Sequence, residues 1–254
     1  MKKLLFWVVL IVGVIAVIGA CSKSDDSKSS DDATASVTSC SDTASGSITG
    51  IDNQSVSGTY SVMLQYVGYG DIDNDTGCTT NTDILAGFSN HVASGAASFN
   101  YFKIVTSSTT FAVNIKSYSD NACSSEMASL VIGYTDVTIV DNVTGLTTGD
   151  ASNGTTGTKA TAKQYCMKGK GTTDNGTAWL NTYTSGSSLT YVTGVERIDA
   201  ASGATYYHLW HSDNTSKSWG GTSFSGNVWR DRVSSSAQPT DWTDSGAMDG
   251  FQAN

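Results

Sequence analysis

Three aspartates at alternate positions form the clearest metal-binding pattern in this sequence. They are Asp71, Asp73 and Asp75. Carboxylates at relative positions 1, 3 and 5 of a curled loop can bind one Ca²⁺, so calcium is the one cofactor that the sequence suggests. The loop is not an EF-hand, because Thr76 and Thr82 stand where Gly and Glu are needed. The alternative, which we favour, is a solvated acidic turn with no metal.

Large aromatic residues are concentrated near the C-terminal end of the chain. The set comprises Tyr206, Tyr207, Trp210, Trp219, Trp229 and Trp242. Aromatic rings stack on sugars or line apolar pockets. Trp210, Trp229 and Tyr206 are therefore the candidate residues for binding a small apolar molecule or a glycan. The alternative is that these rings form the core of a β-domain, where aromatic residues pair across strands.

Catalytic chemistry has little support in the sequence. Of the three histidines, His208 and His211 are three residues apart, so on one strand they lie on opposite faces and do not share a metal. The segment Gly221–Ser225 lacks the second glycine of a nucleophile elbow. P-loop and dinucleotide-binding motifs are also absent from the sequence. We therefore predict a non-enzymatic protein, and a secreted hydrolase is the less favoured alternative.

Beyond Cys21, four cysteines are spread widely through the chain. They are Cys40, Cys78, Cys123 and Cys166. An even number of cysteines in an exported chain predicts two disulfides, for which three pairings are open. Because no C-x-x-C element occurs, a zinc site is not expected.

The first 20 residues are typical of an export signal. Lys2 and Lys3 precede an apolar run from Leu4 to Ile18. This run of 15 residues is shorter than the roughly 20 that a helix needs to cross a bilayer. The alternatives to a lipoprotein signal are a plain secretory signal and an uncleaved N-terminal anchor.

The end of the signal, Ile18-Gly19-Ala20-Cys21, resembles the lipobox of bacterial lipoproteins. The resemblance implies that the signal is cut before Cys21, that the Cys21 thiol is lipidated, and that acyl chains anchor the protein to a membrane. In that family a serine such as Ser22 after the cysteine, rather than aspartate, implies the outer membrane. The expected location is therefore the cell envelope, on the periplasmic side or at the cell surface.

The charge of the chain excludes one class of partner. The net charge is −9, and it becomes −11 once Lys2 and Lys3 are removed with the signal. Binding to nucleic acid requires clustered Lys and Arg to neutralise phosphates, so we expect no nucleic-acid partner. The oligomeric state is left open.

Residues 21–57 are rich in Ser, Asp and Thr, and this composition predicts a disordered, flexible tether. The folded domain is expected to span residues 58–233, followed by a C-terminal tail over residues 234–254. Within the domain, alternation of polar and apolar residues between turn signals predicts strands. The predicted strands are Thr59–Tyr66, Ser98–Val105, Phe111–Lys116, Leu130–Val140, Lys159–Met167, Thr177–Tyr183, Leu189–Ile198, Thr205–Trp210 and Ser223–Arg232.

This pattern predicts an all-β fold of about eight or nine strands, as one antiparallel barrel or a sandwich. A short helix is predicted only within Thr82–Ala93. The first predicted strand opens with Gly58-Thr59-Tyr60, which weakly resembles the Gly-x-Trp opening of lipocalin-like barrels, with tyrosine in place of tryptophan. We expect a lipid-anchored domain that binds a small apolar or glycan ligand. The alternative is a structural or adhesive surface module with a filled core.

Overall fold

The computed structural model describes residues 37–62, 77–80, 82–146, 156–185, 189–213, 217–219, 222–224, 228–242 and 247–253. These residues form thirteen strands and two short helices. The helices are α1 (Thr82–Gly87) and α2 (Asp174–Tyr183). The strands are β1 (Ser47–Ile51), β2 (Gln54–Ser57), β3 (Thr59–Val62), β4 (Ser98–Val105), β5 (Phe111–Tyr118), β6 (Glu126–Thr144), β7 (Thr156–Gly171), β8 (Glu196–Ala200), β9 (Thr205–Asp213), β10 (Lys217–Trp219), β11 (Thr222–Phe224), β12 (Val228–Ser234) and β13 (Ala247–Ala253).

Eight of the strands pair side by side into a closed antiparallel ring. The pairing runs from β3 through β4, β5, β6, β7, β9 and β12 to β13, which pairs back with β3. The order around the ring follows the order in the chain, which is the topology of an up-and-down barrel. Strand β8 lies outside the ring and pairs with the second half of β7. The all-β prediction is confirmed, and the pairings are those of a barrel.

A hairpin formed by β1 and β2, here called the plug hairpin, packs against β4, β6, β7 and β9 of the barrel. It buries Ile48, Ile51 and Val56 in the same cluster as Trp210. The folded domain therefore begins before residue 58, within the span predicted as tether. Composition hid this hairpin because its three large aliphatic residues are spread among Ser, Thr, Asp and Asn.

The folded domain also continues past residue 233. Strand β13 completes the ring by joining β12 to β3. Between β12 and β13, the Gln238 side chain donates a hydrogen bond to the His208 carbonyl. Trp242 is buried, and its ring lies against His211. The span predicted as a tail is therefore largely part of the barrel and its wall.

Helix α2 occupies a segment that alternation predicted as the strand Thr177–Tyr183, and that prediction was wrong. The Thr173 side chain accepts a hydrogen bond from the Gly176 backbone N–H, which caps the helix N-terminus. Gly176 lies against the Met127 carbonyl so closely that a Cβ there would overlap it. The Thr173 cap and the close approach of Gly176 to Met127 favour a helix here. A strand would not place the Gly176 N–H where the Thr173 side chain can accept its hydrogen bond.

The other predicted elements agree with the structure to different degrees. The segment predicted as one strand over Ser223–Arg232 is divided between β11 and β12, and the part of Thr59–Tyr66 beyond Val62 lies outside the described residues. The predicted Ser98–Val105 strand coincides with β4. The predicted helix within Thr82–Ala93 is confirmed as the shorter α1. The strand predicted over Leu189–Ile198 begins only at Glu196. None of the helices in the described part of the chain has both the length and the apolar character needed to cross a bilayer.

Two disulfides are present, as the cysteine count predicts, and the structure selects one of the three pairings. Cys40 pairs with Cys166, and Cys78 pairs with Cys123. The first bridge ties the segment before the plug hairpin to the outer face of β7, where Cys40 packs with Ala112 and Val131. It closes a separation of 126 residues, so it restricts the unfolded chain strongly.

The barrel interior contains two distinct groups of buried residues. One group, around α2, consists of aliphatic and sulfur-containing side chains with Trp179 and Tyr191, and we call it the helix-end cluster. Its buried members are Ala93, Ile115, Met127, Ala128, Leu130, Ile132, Met167, Trp179, Leu180 and Tyr191. The other group lies beneath the plug hairpin and is dominated by aromatic rings.

Candidate functional site

Strands β9 and β12 bring the predicted ligand-binding tryptophans into the barrel interior. Trp210 lies opposite Asp231 in the β9–β12 ladder, and Trp229 lies two residues before Asp231 on the same face. Both indole rings are fully buried. Their ring centroids are 5.1 Å apart and the planes are nearly perpendicular, which is a favourable edge-to-face arrangement.

A buried ion pair lies among these rings. Lys103 Nζ on β4 is 2.5 Å from Asp231 Oδ2, and the two side chains are 1% and 8% exposed. The same ammonium group lies 3.7 Å from the centroid of the Trp229 ring and 5.1 Å from that of Trp210. Phe111 lies on a third side, with its ring centroid 4.8 Å from Nζ. Cation–π contacts and the carboxylate together replace the water that a lysine ammonium normally has.

His208 completes the polar group. Its Nδ1 is 2.9 and 3.1 Å from the two Asp231 oxygens. Because a carboxylate only accepts, this nitrogen carries a proton and donates a hydrogen bond to the carboxylate. The ring also lies against Trp210, with centroids 5.1 Å apart. We call Lys103, His208, Trp210, Trp229 and Asp231 the interior cluster.

The environment of Asp231 stabilises its charged form. Burial alone raises the pKa of this carboxyl, but the neighbouring His208 and Lys103 lower it through charge and hydrogen bonds. The second effect is larger, so the pKa of Asp231 lies below its ordinary value. The carboxylate is therefore ionised across the physiological range and is occupied by two donors.

Three ring nitrogens of the interior cluster are buried without a hydrogen-bond partner among the described residues. They are Trp210 Nε1, Trp229 Nε1 and His208 Nε2. A buried polar group that lacks a partner costs about 1–3 kcal/mol, so most such groups in proteins have a protein, water or ligand partner. Three of them in one group of touching rings mark this part of the interior as a candidate binding site.

Two other tryptophans provide a direct contrast. The indole N–H of Trp179 donates to the Asn90 carbonyl at 3.3 Å, and that of Trp242 donates to the Thr156 carbonyl at 3.3 Å. Both are also buried. Trp210 and Trp229 therefore differ from these two buried tryptophans in having no partner for the indole N–H within the described part of the chain.

Tyr206, the third predicted ligand-binding residue, lies at the border of this site. Its ring makes an edge contact with Tyr134, and the Tyr134 ring makes an edge contact with His208, with centroids 6.4 Å apart. Burial raises the pKa of the Tyr206 phenol, which stays protonated. The structure thus brings Tyr206 within two ring contacts of the interior cluster.

The remaining predicted sites are separate from this cluster. Asp71, Asp73 and Asp75 lie outside the described residues, so the calcium prediction is unchanged. Within the described ranges, no group of three or more His, Cys, Asp or Glu side chains is placed to hold a metal ion. As the spacing predicted, His211 lies on the opposite face of β9 from His208, and its Nδ1 is 2.6 Å from Asp52 Oδ2 in the plug hairpin.

Sequence analysis missed Lys103 and Asp231, although both left a signal. In β4, Phe99, Tyr101 and Val105 lie at alternate positions on one face of the strand. Lys103 lies at the remaining position on that face. In β12, Asp231 lies between Arg230 and Arg232 within the predicted strand Ser223–Arg232. A lysine and an aspartate at core positions of different strands are a pattern for a buried pair, but the pairing needs the three-dimensional register.

Comparisons with known proteins leave this geometry as the main guide to function. No protein-family model matches the chain. No curated protein is similar to it at a significant level.

Proposed function

We propose that this protein is a lipid-anchored envelope lipoprotein whose barrel binds a small ligand at the interior cluster. The observation that carries the proposal is the set of three unpartnered ring nitrogens on Trp210, Trp229 and His208. A ligand that hydrogen-bonds to these nitrogens would offset the cost of burying them without partners. The role is binding rather than catalysis, because the buried carboxylate of Asp231 is already committed to Lys103 and His208.

The barrel is a suitable frame for such a site. Closed barrels of about eight strands have an interior that is either filled by side chains or holds one small ligand. Trp210 and Trp229 are held on adjacent parts of a continuous ladder, so their rings are positioned by rigid strands. The weak resemblance of Gly58-Thr59-Tyr60 to lipocalin-like barrels agrees with this proposal, and Tyr60 packs edge-on against Trp229.

A second candidate is a structural or adhesive surface module with a filled core. It is favoured by the close contacts among the rings, such as the 4.6 Å separation of Phe111 and Tyr134. It is also favoured by the ion pair of Lys103 and Asp231, which occupies part of the interior. In this alternative, internal water molecules would be the partners of the unpaired nitrogens.

Tryptophan fluorescence and native mass spectrometry test the binding proposal. The full chain with Cys21→Ser, which avoids detergent, is titrated with a panel of small apolar compounds and short glycans. We expect one class to change the fluorescence and to add its mass to the protein at a one-to-one ratio. If no compound in the panel does either, the filled-core alternative replaces the binding proposal.

The lipid anchor has its own test. We expect Cys21→Ser to abolish labelling by a radioactive or clickable fatty acid and to move the protein from the membrane to the soluble fraction. Cys78→Ser is the control, because it removes a disulfide cysteine and leaves Cys21 in place. A Cys21→Ser variant that stays in the membrane would support an uncleaved N-terminal anchor instead.

A further inference from the structure

We infer that the ligand of the interior cluster is a neutral, mainly apolar molecule with a carbonyl oxygen, and that the indole N–H groups of Trp210 and Trp229 select it over a glycan. This inference rests on the proposed binding function and makes it more specific. It follows from the hydrogen-bonding inventory, the charge and the size of the side chains around these two tryptophans.

The hydrogen-bonding groups of the site favour a ligand that carries an acceptor. An indole N–H can only donate a hydrogen bond, so Trp210 and Trp229 both require an acceptor. His208 Nε2 accepts in the neutral ring and donates in the charged ring, so it is compatible with either kind of group. A carbonyl oxygen has two lone pairs and can accept from both indoles.

A glycan fits this inventory poorly. Each sugar hydroxyl brings a donor that needs an acceptor once it is buried. Both Asp231 oxygens already accept hydrogen bonds from His208, and one of them also accepts from Lys103. Two further neighbours, Phe111 and Ala160, have side chains without acceptors.

The charges favour a neutral ligand. His208 is faced by Asp231 from β12, by Lys103 from β4 through that carboxylate, and by the Tyr134 ring from β6. Lys103 and Asp231 compensate each other. A buried anion beside Asp231 would lack a counter-charge of its own, which is costly in a low-dielectric interior.

Small side chains stand opposite the site on the neighbouring strand. In the β7–β9 ladder, Ala160 lies opposite His208 and Ala162 lies opposite Tyr206. Both alanines are buried in the same cluster as Trp210 and Trp229. Alanine takes up the least volume of the apolar core residues, so this side of the interior is where an apolar body would pack against the rings.

The test compares three eight-carbon probes of similar size and one short glycan on the full chain with Cys21→Ser. The probes are 2-octanone, n-octane, octanoate and maltose, with affinity measured by tryptophan fluorescence and native mass spectrometry. Two indole hydrogen bonds should make 2-octanone bind about tenfold more tightly than n-octane. We expect octanoate and maltose to bind more weakly than 2-octanone.

Variants assign the effect to the two indoles. Trp210→Phe and Trp229→Phe keep an aromatic ring and remove the N–H group, so each should reduce the preference for the ketone over the alkane. Trp242→Phe is the matched control, because the indole N–H of Trp242 already donates to the Thr156 carbonyl and Trp242 is not part of the interior cluster. It should leave the preference unchanged.

A second measurement does not depend on the variants folding. In the unsubstituted chain labelled with ¹⁵N, 2-octanone should shift the indole N–H resonances of Trp210 and Trp229 and leave those of Trp179 and Trp242 in place. Shifts confined to Trp179 or Trp242 would overturn the inference. Equal affinity for octane and octanone, or tighter binding of maltose or octanoate, would overturn it while leaving the binding function intact. Failure of every probe to bind would overturn both.

Discussion

The two ends of the barrel interior use different chemistry to achieve the same burial. Among the described residues, the helix-end cluster contains no charged side chain, its one indole N–H, on Trp179, is paired with the Asn90 carbonyl, and its one unpaired buried group is the Tyr191 hydroxyl. The interior cluster beneath the plug hairpin contains a buried ion pair and three unpaired ring nitrogens. Burial of apolar surface is sufficient for stability. The polar groups of the interior cluster therefore need another explanation, and ligand binding supplies one.

The comparison also shows different tolerance to change. In the helix-end cluster, the cost of a substitution depends on the volume that is removed. In the interior cluster, it depends on whether a charge loses its counter-charge. The following predictions separate these two dependences.

Substitution of Asp231 by leucine should have the largest effect. It leaves the buried ammonium of Lys103 without its carboxylate, and we expect a loss of about 3–5 kcal/mol in the free energy of unfolding. Urea denaturation followed by circular dichroism measures it. The double variant with Lys103→Met and Asp231→Leu should recover most of the loss, because both charges are gone. If the double variant is as unstable as the single one, packing rather than charge governs this end.

Truncation of Leu180 tests the apolar end. Leu180 is fully buried against β6 and β7, and Leu180→Ala should cost about 2–5 kcal/mol through lost contacts and a cavity. The same urea experiment applies. Val192→Ala, at a site that is 52% exposed, is the control and should change stability by less than about 0.5 kcal/mol. A Leu180→Ala effect as small as that of the control would mean that the packing of α2 contributes little to the stability of this cluster.

Acid should weaken the interior cluster selectively. Because the pKa of Asp231 is lower in the folded state than in the unfolded state, its contribution is fully present above about pH 4 and is lost as the pH falls through the folded pKa. The effect should be smaller than that of Asp231→Leu, since a protonated carboxyl still forms hydrogen bonds. Stability is measured from pH 7 downward for the natural chain and for the Lys103→Met, Asp231→Leu double variant. Parallel curves would contradict the prediction.

The cap of α2 should have the smallest effect. Thr173→Ala removes the acceptor for the Gly176 N–H and should cost about 1 kcal/mol. Thr173→Ser keeps a hydroxyl and should retain most of the stability. Thermal unfolding of both variants measures the difference. Equal losses for alanine and serine would show that the threonine methyl group, rather than the cap, is what stabilises this end.

Much of the fold follows from local patterns. The coincidence of β4 with the predicted Ser98–Val105 strand shows that alternation was sufficient in a strand with three large apolar residues, Phe99, Tyr101 and Val105, on its inward face. It failed at Thr177–Tyr183, because the cap at Thr173 and the contact of Gly176 with Met127 outweigh a short alternation. It also missed the plug hairpin, whose burial depends on strands that are distant in sequence.

The sequence by itself determined the all-β class, the number of disulfides and the aromatic residues of the candidate site. These depend on composition and on periods of a few residues, which are local properties. Only the tertiary structure decided which cysteines pair, that β13 closes the ring, and that Lys103 meets Asp231 across 128 residues. Strand register and barrel closure bring these groups together, and nothing in the local sequence around either group indicates which distant residue it will contact.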